Sequence, residues 1–298
     1  MSVSFDVMDF SSLPCSYEGL PPLDQFKARD GNALSYRFYD SKYQDKVFFL
    51  LHGSSAEGEY LHPLASHLSE KAGQVYVPNL RGHYKSGTTP GDCRYVGQLE
   101  DDLQDLIDNC RRAHQQIYLV GHSSGGGLAI RFAGSSYGPS IAGFILLSPA
   151  IPTAKTMRQG NGGGWANVSL WKIIALSILN TLGIRFFNST KVISFNRPAA
   201  RCNGKETLSY SFNLNSSYHP RLPYDKDIAC LKGRVLTIIG SEDEVNDPSA
   251  FPEVMQDPQG KSIRVIPGAH HLGITQDNPV FDIITEWAGS REEQLRSQ

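Results

Sequence analysis

The 298-residue chain has no apolar run long enough to cross a membrane. Its most hydrophobic stretch, Trp171 to Ile184, is broken by Lys172, Ser177, Asn180 and Thr181 and falls short of the roughly 20 residues a spanning helix requires. Excess charge is also lacking: 28 Lys and Arg stand against 30 Asp and Glu, a formal net of −2. Nucleic acid is therefore not expected as a partner, because phosphate binding leaves a strongly basic footprint. Met1 to Asp9 contains no basic residue followed by an apolar run, so no secretory signal is visible. Cysteine is sparse. Cys15, Cys93, Cys110, Cys202 and Cys230 form no C-x-x-C pair, keep no metal-ligand spacing and are odd in number, so they cannot all pair within one chain. Reduced thiols in a cytoplasmic protein are the simplest expectation. There is no internal repeat, and no low-complexity tract beyond a short glycine cluster.

What is present is alternation. Phe26 to Tyr39 carries Asp30-Gly31 between two alternating stretches, a hairpin signal because Asp-Gly supplies the positive φ of a tight turn. Short continuous apolar runs follow at Val47 to Leu51, Val75 to Leu80, Ile117 to Val120, Phe144 to Leu147, Val235 to Ile239 and Ile263 to Ile266. Runs without alternation suit strands buried on both faces, as in a parallel sheet. Helical patterns lie between them: Leu99, Leu103, Leu106, Ile107 and Cys110 share one helix face, and another helix opens at Asn278 with Pro279 at its first position. The pattern predicts an α/β fold, a mostly parallel sheet entered through an antiparallel hairpin, in a single domain spanning 1–298.

The alternation breaks between Leu147 and Val235. Thr153 to Leu222 reads as an insertion, a lid or cap, with glycines at 160 and 162–164 and an apolar helix candidate at Trp171 to Ile184. It holds nine Lys and Arg against Glu206 alone, a net of +8 that leaves −10 for the rest of the chain.

The strand Ile117 to Val120 runs directly into Gly121-His122-Ser123-Ser124-Gly125, followed by Gly126-Gly127-Leu128-Ala129-Ile130. This is strand, G-x-S-x-G, helix, the arrangement in which a sharp turn holds the central serine exposed and strained. The register selects Ser123, since centring on Ser124 would put His122 at the first glycine position. With this motif the chain resembles the α/β-hydrolase superfamily, and more closely its lysophospholipase and monoacylglycerol lipase branch, which includes serine aminopeptidase-like hydrolases. The resemblance covers about residues 25 to 290. It also rests on Leu51-His52-Gly53, Asn79-Leu80-Arg81-Gly82-His83, Gly240-Ser241-Glu242-Asp243 and Gly268-Ala269-His270-His271. Two departures stand out: Asn79, where many relatives have Asp, and Tyr84-Lys85 inside a turn usually built of small residues.

A serine hydroxyl needs a base, and the base needs a partner to fix its tautomer. Both must come from loops at strand ends. The chain order Ser123, Asp243, His271 is the one expected for this fold. Glu242 and Asp247 are alternatives for the acid. His270 is the rival base, and the family's Gly-x-x-His spacing favours His271. An oxyanion requires two backbone N–H donors, which map to Ser124, after the nucleophile, and Ser54, in the loop after the third strand. His52 is either a brace for that loop or a packed turn histidine.

The resemblance implies a serine hydrolase of carboxylic esters, of acyl glycerol or lysolipid type, working through an acyl-enzyme without cofactor or metal. An aminopeptidase or thioesterase using the same triad, or a non-catalytic ligand-binding member of the fold, are the alternatives. An aminopeptidase needs carboxylates to neutralise a substrate ammonium, and the insertion offers only Glu206. The expected partner is a small ester or lipid, with peripheral contact between the basic, apolar insertion and an anionic membrane. The competing expectation is that the apolar helix packs on the core and the basic residues offset the acidic body.

Overall fold

The structure, a computed structural model, describes residue 13 and residues 16–158, 164–197 and 202–296. Met1 to Asp9, Cys15, Gly160, Gly162, Gly163 and Arg201 lie outside the described residues. Strands β1 (Asp24–Lys27), β2 (Ala33–Tyr39), β3 (Lys46–Leu51), β4 (Gln74–Pro78), β5 (Gln116–His122) and β6 (Gly143–Leu147) come first. Three short strands follow, β7 (Ala166–Val168), β8 (Lys191–Phe195) and β9 (Ser209–Ser211), and then β10 (Val235–Gly240) and β11 (Ile263–Ile266). The helices are α1 (His62–Lys71), α2 (Gln98–Cys110), α3 (Ser124–Ala133), α4 (Leu170–Thr181), α5 (Phe212–Ser217), α6 (Asp225–Ala229), α7 (Phe251–Val254) and α8 (Asn278–Arg296).

Eight strands form the main sheet in the order β1-β2-β4-β3-β5-β6-β10-β11. The β1/β2 and β2/β4 pairs are antiparallel and the remaining pairs parallel. The continuous apolar runs of the inner strands are explained by cover on both faces, whereas β11 is an edge strand with Arg264 and Val265 exposed. In β3, Val47, Phe49 and Leu51 pack into a layer with Leu99, Leu103 and Leu106 of α2 and with α3. Phe48 and Leu50 pack on the other side with α1 and with Val280, Phe281 and Ile284 of α8. Because side chains alternate across a strand, only an unbroken apolar run fills both layers. The hairpin turn sits where Asp30-Gly31 predicts, with Gly31 at φ +82°. Every parallel strand ends on the same side of the sheet, so the loops after β3, β4, β5, β6, β10 and β11 converge there, which is where open α/β sheets bind ligands.

Between β6 and β10 the structure corrects the sequence pattern, which predicts no further strand before Val235. Strands β7, β8 and β9 form a separate three-stranded antiparallel sheet. They escape notice because each has only three to five residues. The pairing of β8 with β9 also shifts between Lys191 and Ile193, which breaks the period of two that betrays a strand. Helix α4 stops at Thr181 rather than Ile184: Gly183 adopts φ +79° and the Ile184 N–H returns to the Leu179 carbonyl, a left-handed helix stop. The inner side of this segment joins the main core through Phe195, Tyr210, Leu214 and Tyr218. Cys93, Cys110 and Cys230 are free thiols. Among the described residues no helix is long and apolar enough to cross a membrane.

Candidate active site

Strand β5 delivers Ser123 into a turn at φ 53° and ψ −120°, and α3 begins at the next residue. Glycine is required on both sides of it. A Cβ on Gly121 would lie 2.3 Å from the Gly125 carbonyl oxygen, and one on Gly125 would lie 2.2 Å from the Leu51 carbonyl oxygen. The strained conformation is over-determined, as such conformations must be to persist. The Ser123 N–H donates to the Leu147 carbonyl at 2.9 Å, and its own carbonyl accepts from Gly127 and Ala150.

His271 comes from the loop after β11 and is buried. Its Nε2 lies 3.0 Å from Ser123 Oγ, and its Nδ1 lies 3.1 and 3.0 Å from the two Asp243 carboxylate oxygens. Asp243, in the loop after β10, is fixed in turn: Oδ1 accepts the Val245 and Asn246 N–H groups at 2.9 and 2.7 Å. Burial by itself would raise the Asp243 carboxyl, but the His271 ring and the Asn246 N–H outweigh it and hold the group well below the usual carboxylate range. For His271, burial pushes the imidazole down and the Asp243 charge more than reverses this, so its pKa is raised. The neighbouring candidates point elsewhere. His270 is 42% exposed beside Glu244, Glu242 is exposed, and Asp247 accepts from the Ser249 N–H to cap a turn.

Ser54 and Ser124, the two candidate oxyanion donors, face each other, with their side-chain oxygens 2.7 Å apart. Ser124 opens α3, where a backbone N–H has no intrahelical acceptor and the helix dipole favours negative charge. His52 does brace the loop: its Nε2 accepts the Leu80 N–H at 3.0 Å while Nδ1 donates to the Gly53 carbonyl at 2.9 Å. Asn79 accepts from the Gly58 N–H and donates to the Tyr84 carbonyl, at 2.9 Å each, a two-sided tie that suits an amide. Nothing in the sequence marks His122 as more than a motif filler. Its ring is buried, donates from Nε2 to the His271 carbonyl at 2.9 Å and accepts at Nδ1 from Tyr60 Oη at 2.8 Å. The Tyr60 hydroxyl itself accepts the Gly53 N–H at 2.8 Å. Arg158 is equally unmarked in sequence. It donates from Nε to the Asp243 and Asn246 carbonyls at 3.1 and 3.0 Å, tying the segment after β6 to the acid loop. No group of three or more His, Cys, Asp or Glu among the described residues is arranged to hold a metal ion.

Comparison with known proteins bears on the fold and the family. The human monoglyceride lipase is 22% identical over 298 residues, covering 92% of each chain. A soluble variant of the Saccharomyces cerevisiae monoglyceride lipase superposes with a TM-score of 0.68 at 17% identity, over 94% of this chain and 98% of that one. The Paleococcus ferrophilus monoacylglycerol lipase gives 0.62 at 19%, over 87% and 99%. The sequence model of the alpha/beta hydrolase family matches residues 48–283, and since that span reaches from the third strand through the base loop into the last helix, this chain belongs to the alpha/beta hydrolase family.

Proposed function

We propose that the protein is a serine hydrolase that cleaves carboxylic esters of acyl glycerol or lysolipid type through an acyl-enzyme intermediate. The observation that carries this reading is the continuous line from Asp243 through His271 to the Ser123 hydroxyl, with both links at 3.0 Å. Ser123 Oγ attacks the ester carbonyl as His271 Nε2 takes its proton, and Asp243 stabilises the imidazolium. The tetrahedral oxyanion is held by the Ser54 and Ser124 N–H groups. His271 then returns the proton to the leaving alcohol, and water repeats the sequence to release the carboxylic acid. The similarity to monoglyceride lipases supports the substrate class. An aminopeptidase is disfavoured because Glu206, the single acid of the segment 153–222, is buried against Arg197 and accepts the Asn203 and Gly204 N–H groups, leaving no acid of that segment to meet a substrate ammonium.

Residues 153–222 are proposed as the lid of this site, and α4 as its contact with lipid. Leu170, Trp171, Ile174, Ile178 and Leu182, with Phe186 just beyond, are 52–88% exposed, so the helix does not pack on the core as an ordinary apolar helix does. Lys172 and Arg185 bracket it, placed to meet anionic headgroups. Much of the remaining positive charge is paired within the chain, Lys155 with Glu253, Lys205 with Glu59 and Arg221 with Asp227. Attachment therefore comes mainly from apolar burial, and charge contributes less.

The test is to label the protein with a fluorophosphonate, map the adduct, and measure turnover across ester, thioester and amide substrates of increasing acyl length. An adduct on Ser123, loss of about 10³-fold or more in Ser123→Ala, and kcat/KM rising with chain length are expected. An adduct on Ser124, or acetyl esters outperforming decanoyl esters, defeats the reading.

A further inference from the structure

We infer that Tyr210, on strand β9, is a positioning residue that holds the oxyanion loop in register for catalysis, an inference that rests on the esterase reading above. The motif Asn79 to His83 suggests where to look, because its histidine takes no part in the chemistry just described. His83 is fully buried and its Nδ1 lies 3.1 and 3.2 Å from the Leu80 and Arg81 carbonyls. Carbonyls only accept, so Nδ1 carries the proton. The imidazole is neutral, burial having pushed it down to about 4, which leaves Nε2 as an acceptor. The group 2.7 Å from Nε2 is the Tyr210 hydroxyl, which must donate there. Its oxygen is then free to accept, and it takes the Ser55 N–H at 2.6 Å. The direction of every bond in the chain from Ser55 to Tyr210 to His83 is thereby fixed.

Ser55 needs such a hold. It adopts φ 64°, a left-handed conformation that a non-glycine residue keeps only under constraint. The same stretch of chain grips its other end, the Thr207 N–H donating to the Ser55 carbonyl at 3.1 Å. Ser54, whose N–H is a proposed oxyanion donor, therefore sits between two tethers of like design. On one side the Gly53 N–H is held by Tyr60, backed by His122, and on the other the Ser55 N–H is held by Tyr210, backed by His83. The Tyr210 ring alone would serve as core, stacked edge-on to Phe195 at 4.8 Å, and phenylalanine would do that as well. Only the hydroxyl sets the Ser55 peptide plane and, through it, the aim of the Ser54 N–H.

The experiment compares native protein with Tyr210→Phe on a soluble short-chain ester, and measures binding of an alkylboronic acid that forms a tetrahedral adduct with Ser123. Removing a whole oxyanion donor costs roughly 10²–10³ in kcat. Misaiming one is expected to lower kcat about 10- to 100-fold, to weaken boronate binding by the same factor, and to leave KM within about threefold. Ser55→Gly added to Tyr210→Phe is expected to restore part of both, since glycine holds a positive φ without help. Native kcat and boronate affinity in Tyr210→Phe, or a fall in kcat with boronate affinity intact, overturns the inference. Should the phenylalanine variant not fold, fluorinated tyrosine at 210 keeps the ring and weakens the oxygen as acceptor; it must still lower both readouts together, and no change in either overturns the role. If the native protein is inert to esters and to fluorophosphonate, the esterase reading itself has failed. If the native protein is active and Tyr210→Phe matches it, only the positioning role has.

Discussion

As the base proposed for Ser123, His271 would have to be neutral to take its proton, and the Asp243 carboxylate raises the pH at which it becomes so. The rising limb of kcat/KM is therefore expected above the ordinary imidazole value of about 6.5. Asp243→Asn removes the charge that raises it and leaves the wrong tautomer, so kcat should fall by about 10⁴ and whatever limb survives should move to lower pH. His270→Ala should keep the native limb. A limb that vanishes with His270 and survives in His271→Ala would reverse the assignment. At this scale the residues of the proposed site are legible in sequence, because the elbow and the proposed acid and base each announce themselves after a strand with local glycine spacing. His122, Asn246 and Tyr210 are not. Tyr210 meets Ser55 across 155 positions, and His122 meets the His271 carbonyl across 149; such contacts are products of topology with no local signature.

Among the elements, α4 departs furthest from ordinary packing. Leu176 is its one fully buried residue, with Ile173 and Leu179 partly covered, while its other apolar side chains meet water. Contiguous exposed apolar surface of this kind marks an interaction site. If it seats in lipid, replacing Trp171 and Ile178 together by Asp should lower vesicle co-sedimentation at least tenfold and slow hydrolysis of long-chain esters presented in vesicles. Turnover of a soluble butyrate ester should stay within about twofold. Raising salt should weaken vesicle binding only modestly, since attachment is mainly apolar. Equal sedimentation of variant and native protein would sink the lipid contact. The inner strands of the main sheet are readable because burial on both faces demands an unbroken apolar run, whereas β7, β8 and β9 are short and, at the Lys191 to Ile193 shift, out of period. The stop at Gly183 is readable in principle, as glycine after a helical run is a common terminator, but the apolar Ile184 beyond it masks the signal.

For the molecule as a whole, acid stability is governed by imidazoles kept neutral in the core. His52, His83 and His122 each donate from one nitrogen and accept at the other, so none can take a second proton without breaking a bond. Burial lowers all three, His83 to about 4, His122 to about 3 and His52 well below its ordinary value. A depressed group contributes stability that is complete above its unfolded value, about 6.5, and is lost as pH falls toward its folded one. Two buried carboxyls act in the opposite sense. Burial raises Glu57 to about 7 and Asp102 to about 6, so the fold holds protons there that the unfolded chain has released, and acidification favours the fold. Between pH 5 and 6 unfolding takes up about four protons at these three histidines and His219, which burial also lowers to about 4, and releases about two at the carboxyls, while His271, with its raised value, is protonated in both states. The net uptake of about two protons means that stability falls on acidification through this window. His122→Gln keeps an amide donor for the His271 carbonyl and removes one titrating ring. Urea unfolding at pH 5.0, 5.5 and 6.0 should give the native protein a positive slope of stability against pH, and the Gln variant a slope lower by about one proton, roughly half the native one. A variant slope equal to the native one would mean that His122 is not held neutral, and with it would go the claim that the Tyr60 tether to Gly53 ends on an accepting imidazole.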